Sequence, residues 1–171
     1  MATAELTFTE EVIETAGLKV QVRKGGSGTP LLVIHGELGV PGWLEAYDEL
    51  AKRHSVVVPS LPGYGGSETA DWLASPRDMA AWITWFVRDQ GMSEPIDVVG
   101  VSLGGWLAAE IATFNACIFR KMVLVGPAGL KPEKGETWDY FLNSGHQAFE
   151  RSFHRPTDSN EYRRFYGGVF S

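Results

Sequence analysis

The sequence predicts an α/β domain: a mostly parallel sheet with an N-terminal antiparallel hairpin and helices on both faces. Three observations predict it. Short apolar runs recur at residues 31–34, 56–58, 96–99 (interrupted by Asp97) and 122–125, the pattern of strands buried on both faces. Amphipathic helical patterns separate these runs, and strand–helix–strand alternation implies a parallel sheet with right-handed crossovers. Glycine is frequent, 20 of 171 residues, without collagen-like periodicity, and supplies the tight turns that such a sheet needs.

The elements follow in order. Val12–Ile13 and the run Leu18–Lys19–Val20–Gln21–Val22 flank Gly17; the second run alternates with period two, so the pair reads as a hairpin. A Gly/Ser/Pro loop at 25–30 leads into the buried strand 31–34. After a glycine-rich loop at 36–42, Trp43, Leu44, Tyr47, Leu50 and Ala51 share one helical face. His54 opens the strand at 56–58 and reads as solvated. Residues 59–67 carry too much proline and glycine for regular structure. Ser75–Pro76 has the form of an N-cap followed by proline at the first helical position, and Gly91 is the stop. Between them Met79, Trp82, Ile83, Trp85 and Phe86 form the apolar stripe, so Trp82, Trp85 and Phe86 are assigned to the core. Strand 96–99, a helix through 106–112 and strand 122–125, ended by Gly126–Pro127, complete the series. Cys117 follows a helix, lies in no motif and is expected to be buried. From about residue 131 charged, polar and aromatic residues mix with weak helical periodicity, through Trp138, Phe141, Leu142, Phe149, Phe153, Tyr162 and Phe165. The division is therefore 1–130 and 131–171.

Composition excludes several classes. Lys and Arg total 15 against 21 Asp and Glu, a net charge of −6. That gives no footprint for nucleic acid or an anionic membrane. One cysteine rules out an internal disulfide framework and a multi-cysteine zinc site. No run approaches the roughly 18 apolar residues of a membrane span, and the N-terminus lacks an apolar signal core, so a cytoplasmic setting is the default. The glycines at 25, 26 and 28 are not followed by lysine with serine or threonine, as a phosphate loop requires. Neither a cofactor nor a metal is expected.

The chemistry is concentrated in Gly100–Val101–Ser102–Leu103–Gly104. This G-x-S-x-G follows a strand and opens a helix, the setting that a nucleophile elbow needs. A strand must reverse into a helix within a few residues, with Ser102 at the apex in a strained conformation. Gly100 and Gly104 stand where a β-carbon has almost no room. The helix N-terminus then turns its free N–H groups toward developing negative charge.

Three further segments join this one in order. They are Leu31–Leu32–Val33–Ile34–His35–Gly36–Glu37, the P-x-x-P-G-x-G-x-S-like stretch from Pro59 to Ser67, and Gly126–Pro127–Ala128–Gly129. Over residues from about 18 to 130 the chain resembles the N-terminal part of an α/β-hydrolase. The resemblance implies that Ser102 is the nucleophile and that the backbone N–H groups of Glu37 and Leu103 form the oxyanion hole. It makes His35 and Gly36 structural, bracing the loop. A serine at the elbow, rather than the aspartate of haloalkane dehalogenases and related epoxide hydrolases, favours esters, thioesters, amides or the C–C bonds of β-diketone-like compounds. The Glu37 side chain is odd, since a carboxylate beside an oxyanion opposes catalysis unless it points away or is paired.

In such proteins the order is serine, acid, histidine, with the last two after later strands. No strand followed by a loop histidine is visible after Ser102. The chain thus reads as an N-terminal part ending inside a helical cap and inactive alone, its partner a small, rather apolar carbonyl substrate. A compressed triad from His146 or His154 with Asp139 or Glu136 is the weaker arrangement. Trp138, Tyr140, Phe141 and Phe153 either line an acyl pocket or only close the cap. A second reading is a non-catalytic half-domain, a binding or regulatory module and possible homo-oligomer, whose open sheet edge a partner covers.

Overall fold

A computed structural model describes residues 8–92, 95–131, 133–135, 142, 147 and 150–166. The chain divides into two compact units, Met1–Gly129 and Leu130–Ser171.

The first unit is built on a six-stranded sheet in the order β1-β2-β4-β3-β5-β6. Its strands are β1 (Phe8–Thr15), β2 (Leu18–Gly25), β3 (Thr29–Ile34), β4 (His54–Pro59), β5 (Ile96–Val101) and β6 (Phe119–Val125). β1 and β2 form the antiparallel hairpin, turning at Ala16 and Gly17 with φ of 53° and 76°. β2 runs antiparallel to β4, whereas β3 is parallel to both β4 and β5, and β5 is parallel to β6.

Period-two alternation sorts the buried strands onto two faces. Leu32, Ile34, Ile96 and Val98 pack with Trp82, Ile83 and Phe86 of α2 (Pro76–Asp89) and with Leu107 and Ile111 of α3 (Leu103–Phe114). Leu31, Val33, Val56 and Val58 pack with Trp43 and with Tyr47 and Ala51 of α1 (Glu45–Ala51) on the other face. Helices therefore cover both faces, as the apolar runs require. The Ser75 hydroxyl accepts the Asp78 N–H at 3.2 Å with Pro76 at the first position, so α2 starts where its cap signal lies. α1 starts two residues after Trp43, which remains outside the helix and stacks on Phe8.

Three expectations are corrected. Met122, Val123 and Val125 are 40%, 54% and 49% exposed, so residues 122–125 are not a buried strand. β6 is the end strand in the sheet order, and apolar composition cannot bury a strand that has a neighbour on one side only. Trp85 is 41% exposed rather than core. It tilts against Trp72 at 5.8 Å and, with Ala16, Arg88 and Asp89, lines a shallow surface groove of about 430 Å³. Cys117 is exposed, because it lies in the turn between α3 and β6 rather than under either. His54 is half-buried, and its Nδ1 meets the Leu50 carbonyl at 3.1 Å.

The β5–β6 register slips between Ile96 and Asp97. Ile96 pairs with Phe119 and Asp97 with Lys121, leaving Arg120 as the extra residue. This bulge aims the guanidinium at the buried Asp97, with Nε–Oδ1 of 2.9 Å and Nη2–Oδ2 of 2.6 Å. The hydrogen bonds from Arg120 hold the Asp97 carboxyl below its ordinary range, against the opposing effect of burial.

In the second unit the described residues form a short 3₁₀ turn (Pro156–Asp158) and α4 (Asn160–Tyr166). Phe153 meets Tyr162 edge-on at 5.5 Å. Trp138, Tyr140, Phe141, Phe149, His146, Glu136 and Asp139 lie outside the described residues. No described helix is long and apolar enough to cross a membrane.

Candidate functional site

After β3 the chain adds β4 on one side, and β5 then pairs on the other side of β3. The connections out of β3 and β5 thus diverge, which makes the carboxyl ends of these strands the sheet's switch point, the place where open α/β sheets bind ligands. His35 and Gly36 directly follow β3, and Ser102 directly follows β5. Topology alone brings these segments together, although 66 positions separate Gly36 from Ser102.

Ser102 has φ 47° and ψ −110°. Ala16 is the only other described non-glycine residue with positive φ. Such a conformation persists only where its surroundings over-determine it, and here they do. The Ser102 N–H donates to the Val125 carbonyl at 2.9 Å, and the Ser102 carbonyl accepts from Trp106 at 3.1 Å and from Ala128 at 3.0 Å. The end of β6 and the Gly126–Gly129 turn therefore clamp the elbow. Their brace was not visible in the order of motifs. Its signal was Gly129, at φ 84°, where a β-carbon would sit 2.7 Å from the Trp106 ring.

The glycines do what the elbow asks of them. A β-carbon on Gly100 would lie 2.5 Å from the Gly104 carbonyl oxygen and 2.7 Å from Gly105 Cα. One on Gly104 would overlap the carbonyl groups of Ile34 and His35. α3 thus begins in direct backbone contact with the end of β3. It begins at Leu103, three residues earlier than its apolar pattern suggests, so Leu103 N–H is among the first amides of the helix, which have no carbonyl behind them. Among the described residues none bonds the Ser102 hydroxyl.

Gly36 packs against the nucleophile candidate, since a β-carbon there would stand 3.2 Å from Ser102 Cβ. The Gly36 carbonyl accepts two donors, Gly39 N–H at 3.1 Å and His35 Nδ1–H at 2.7 Å. A trans peptide carries its N–H on the side opposite its carbonyl. The Glu37 N–H therefore points away from those two donors, in a peptide whose orientation is fixed.

His35 is buried, and both ring nitrogens are engaged. Nδ1 donates to Gly36, and Nε2 accepts the Leu61 N–H at 2.9 Å. The ring joins the β3 turn to the loop after β4, and Tyr64 of that loop meets it edge-on at 4.8 Å. Gln21, absent from the sequence motifs, anchors the same loop. Its Oε1 accepts Gly66 N–H at 2.9 Å and its N–H donates to Ser67 Oγ at 3.0 Å. Burial lowers the His35 pKa below its ordinary 6.5, outweighing the bond to Gly36. Burial raises that of the Tyr64 hydroxyl, and the charge of half-buried Glu37 adds to it.

Two acid-sensitive windows follow. A group whose pKa is depressed on folding contributes stability above its unfolded value and loses it as pH falls through its folded value. His35 should cost stability as pH drops below about 6.5, because its protonation breaks the bond from Leu61. Asp97 should add a second loss below about 3.8. Thermal melts across pH 8 to 3 should show both declines, and Asp97→Asn should flatten only the lower one. A parent melting point that is flat from pH 8 to 5 would rule out the neutral-His35 brace.

Among the described residues no group of three His, Cys, Asp or Glu side chains is arranged to hold a metal. The arrangement offers a strained serine at the sheet's switch point, between a helix N-terminus and a pinned glycine turn.

A family model for the alpha/beta hydrolase fold matches residues 29–167. The chain is 34% identical over 122 residues to 2-hydroxymuconate semialdehyde hydrolase of Pseudomonas sp. (strain CF600), covering 69% of this chain and 43% of that protein. It is 36% identical over 115 residues to a dihydrolipoyllysine-residue acetyltransferase component of an acetoin cleaving system from Cupriavidus necator, covering 66% of this chain and 30% of that protein. The crystal structure of the Cif epoxide hydrolase from Acinetobacter nosocomialis superposes with a TM-score of 0.61 at 26% identity, over 72% of this chain and 39% of that one. The chain thus spans less than half the length of each of these proteins.

Proposed function

The chain belongs to the alpha/beta hydrolase fold family, and from that membership we propose that the whole protein is a serine-dependent hydrolase of a small, rather apolar carbonyl compound. The observation that carries this reading is Ser102 at φ 47° and ψ −110°, directly beyond β5 at the sheet's switch point. Such a backbone is costly for a residue with a β-carbon, and strain of this kind clusters at functional sites. The relative named for a semialdehyde supports a carbonyl substrate. Serine at the apex supports acyl or C–C chemistry over epoxide opening.

In the proposed step a histidine base takes the Ser102 hydroxyl proton while Oγ bonds to the substrate carbonyl carbon. The carbonyl electron pair moves onto oxygen, and the Glu37 and Leu103 N–H groups receive it. Collapse breaks the bond to the leaving group, which takes the proton from the imidazolium. Water then repeats the cycle on the acyl group and frees Ser102. Each amide donor contributes about 3 kcal/mol to barrier lowering. The base is neither described histidine of the first unit: His35 has both nitrogens bonded, and His54 opens β4 beside the first residue of β3, at the end of the sheet opposite Ser102. We assign base and acid to residues that follow the nucleophile in the whole protein, the family's order, with the second unit as the start of a cap.

A fluorophosphonate probe tests the reading. It should label Ser102 in the whole protein, as located by peptide mass, and Ser102→Ala should not label. Equal labelling of both proteins would end the proposal.

A further inference from the structure

We infer that Tyr64 is a positioning residue for the oxyanion hole: its ring buttresses both donors that hold the Gly36 carbonyl, and so fixes the peptide that carries the Glu37 N–H. The inference rests on the serine-hydrolase reading and deepens it.

The peptide between Gly36 and Glu37 moves as one planar unit. Its carbonyl accepts from His35 Nδ1 at 2.7 Å and from Gly39 N–H at 3.1 Å, so whatever fixes these two donors fixes the direction of the Glu37 N–H. Gly39 has φ of 78° and lies in a stretch with further glycines at 36 and 42, backbone with wide freedom of its own. Tyr64 touches both donor residues. Its ring meets the His35 ring edge-on at 4.8 Å, and a β-carbon on Gly39 would stand 3.4 Å from Tyr64 Cδ1. A single ring thus spans the two groups that hold the carbonyl.

Tyr64 is itself anchored. Its N–H donates to the Leu61 carbonyl at 2.9 Å, and its carbonyl accepts the Ser67 N–H at 3.0 Å. Gly66, between them, is pinned by Gln21 of β2, and the Tyr64 side chain packs against the main core cluster. The loop after β4 therefore carries the rigidity of β2 and the core to the turn after β3. That turn also packs on the nucleophile, since a β-carbon on Gly36 would stand 3.2 Å from Ser102 Cβ. An oxyanion donor works within a few tenths of an ångström of its acceptor, and a misplacement of about 1 Å costs about a hundredfold in rate. The contacts to His35 and Gly39 are made by the ring; the hydroxyl takes no part in them.

An alkyl fluorophosphonate on the whole protein tests this. Ser102 Oγ bonds to phosphorus, fluoride leaves, the hydroxyl proton passes to the base, and the phosphoryl oxygen takes the oxyanion's place. Saturation kinetics separate KI, which reports binding of the alkyl chain, from kinact, the step that uses the donors. Tyr64→Leu should lower kinact by about tenfold to a hundredfold with KI unchanged, and Tyr64→Phe, which keeps the ring, should restore the parent kinact. Gly39→Ala leaves Tyr64 in place but presses a methyl toward its ring from a left-handed backbone; it should lower kinact as well, and it decides the matter where Tyr64→Leu does not fold. Parent-like kinact in folded Tyr64→Leu or in Gly39→Ala, a change confined to KI or to the melting temperature, or an equal loss in Tyr64→Phe overturns the inference and leaves the nucleophile intact. No labelling of the parent overturns the serine-hydrolase reading and this inference with it.

Discussion

Replacing Gly104 by alanine should unfold the first unit. The added methyl would overlap the carbonyl groups of Ile34 and His35, which are main-chain atoms at the end of a central strand. A flexible side chain could swing aside; a backbone carbonyl between two hydrogen-bonded strands cannot. Overpacking in cores costs about 1–3 kcal/mol where neighbours can yield. With backbone on both sides the loss should reach or exceed about 3 kcal/mol, a large share of the roughly 5–15 kcal/mol that holds a domain folded. Gly91→Ala is the control. Gly91 has φ 61° and nothing within 4 Å of its β-carbon position, so only its left-handed backbone matters, at about 1–2 kcal/mol. Thermal or urea melts followed by circular dichroism separate the two. If both variants melt alike, α3 does not abut β3 as described.

Ser102→Gly should move activity and stability in opposite directions. Removing the side chain removes the nucleophile, and turnover by the whole protein should fall by at least about 10⁴. The same change relieves a backbone conformation that costs a β-carbon-bearing residue about 1–3 kcal/mol, and glycine adopts it freely. The glycine variant should therefore melt higher than Ser102→Ala, which keeps the strain and loses the hydroxyl. The three hydrogen bonds at the Ser102 backbone do not involve its side chain and remain. A glycine variant that melts below the alanine variant would show that the elbow stores no strain. Retained turnover would place the nucleophile elsewhere.

Both expectations rest on contacts between segments far apart in sequence, and this sets what the sequence could show. Ser75–Pro76 marked the start of α2, because a cap is decided by residues within one turn. The strands at 31–34, 56–58 and 96–99 were legible from short apolar runs, the last interrupted only by Asp97, because each has a neighbour on both sides and a helix on each face. The run at 122–125 looks the same and is half-exposed. Its composition records an apolar strand, but burial depends on place in the sheet order, which no local window contains. Trp85 failed for a related reason. Helical spacing put it on the stripe with Trp82, yet the stripe is wider than the face that α2 presents to the sheet, and Trp85 falls at its margin beside Trp72.

Local chemistry at the candidate site is therefore a property of the sequence: a serine between two glycines after a strand, and a His-Gly pair after another. Those residue types mark the two turns within a few positions of chain, although holding the strained one takes contacts from β6 and beyond. What the tertiary structure alone decided is that the two turns meet. The reversal of strand order around β3 places Gly36 against Ser102, and the end of β6 with Ala128 locks the strained apex. The engagement of both His35 nitrogens follows from the packing of the His35–Gly36 turn against the loop after β4. Short-range sterics and capping act within a few residues and can be read in order; the approach of distant strand ends is set by the packing of the whole sheet.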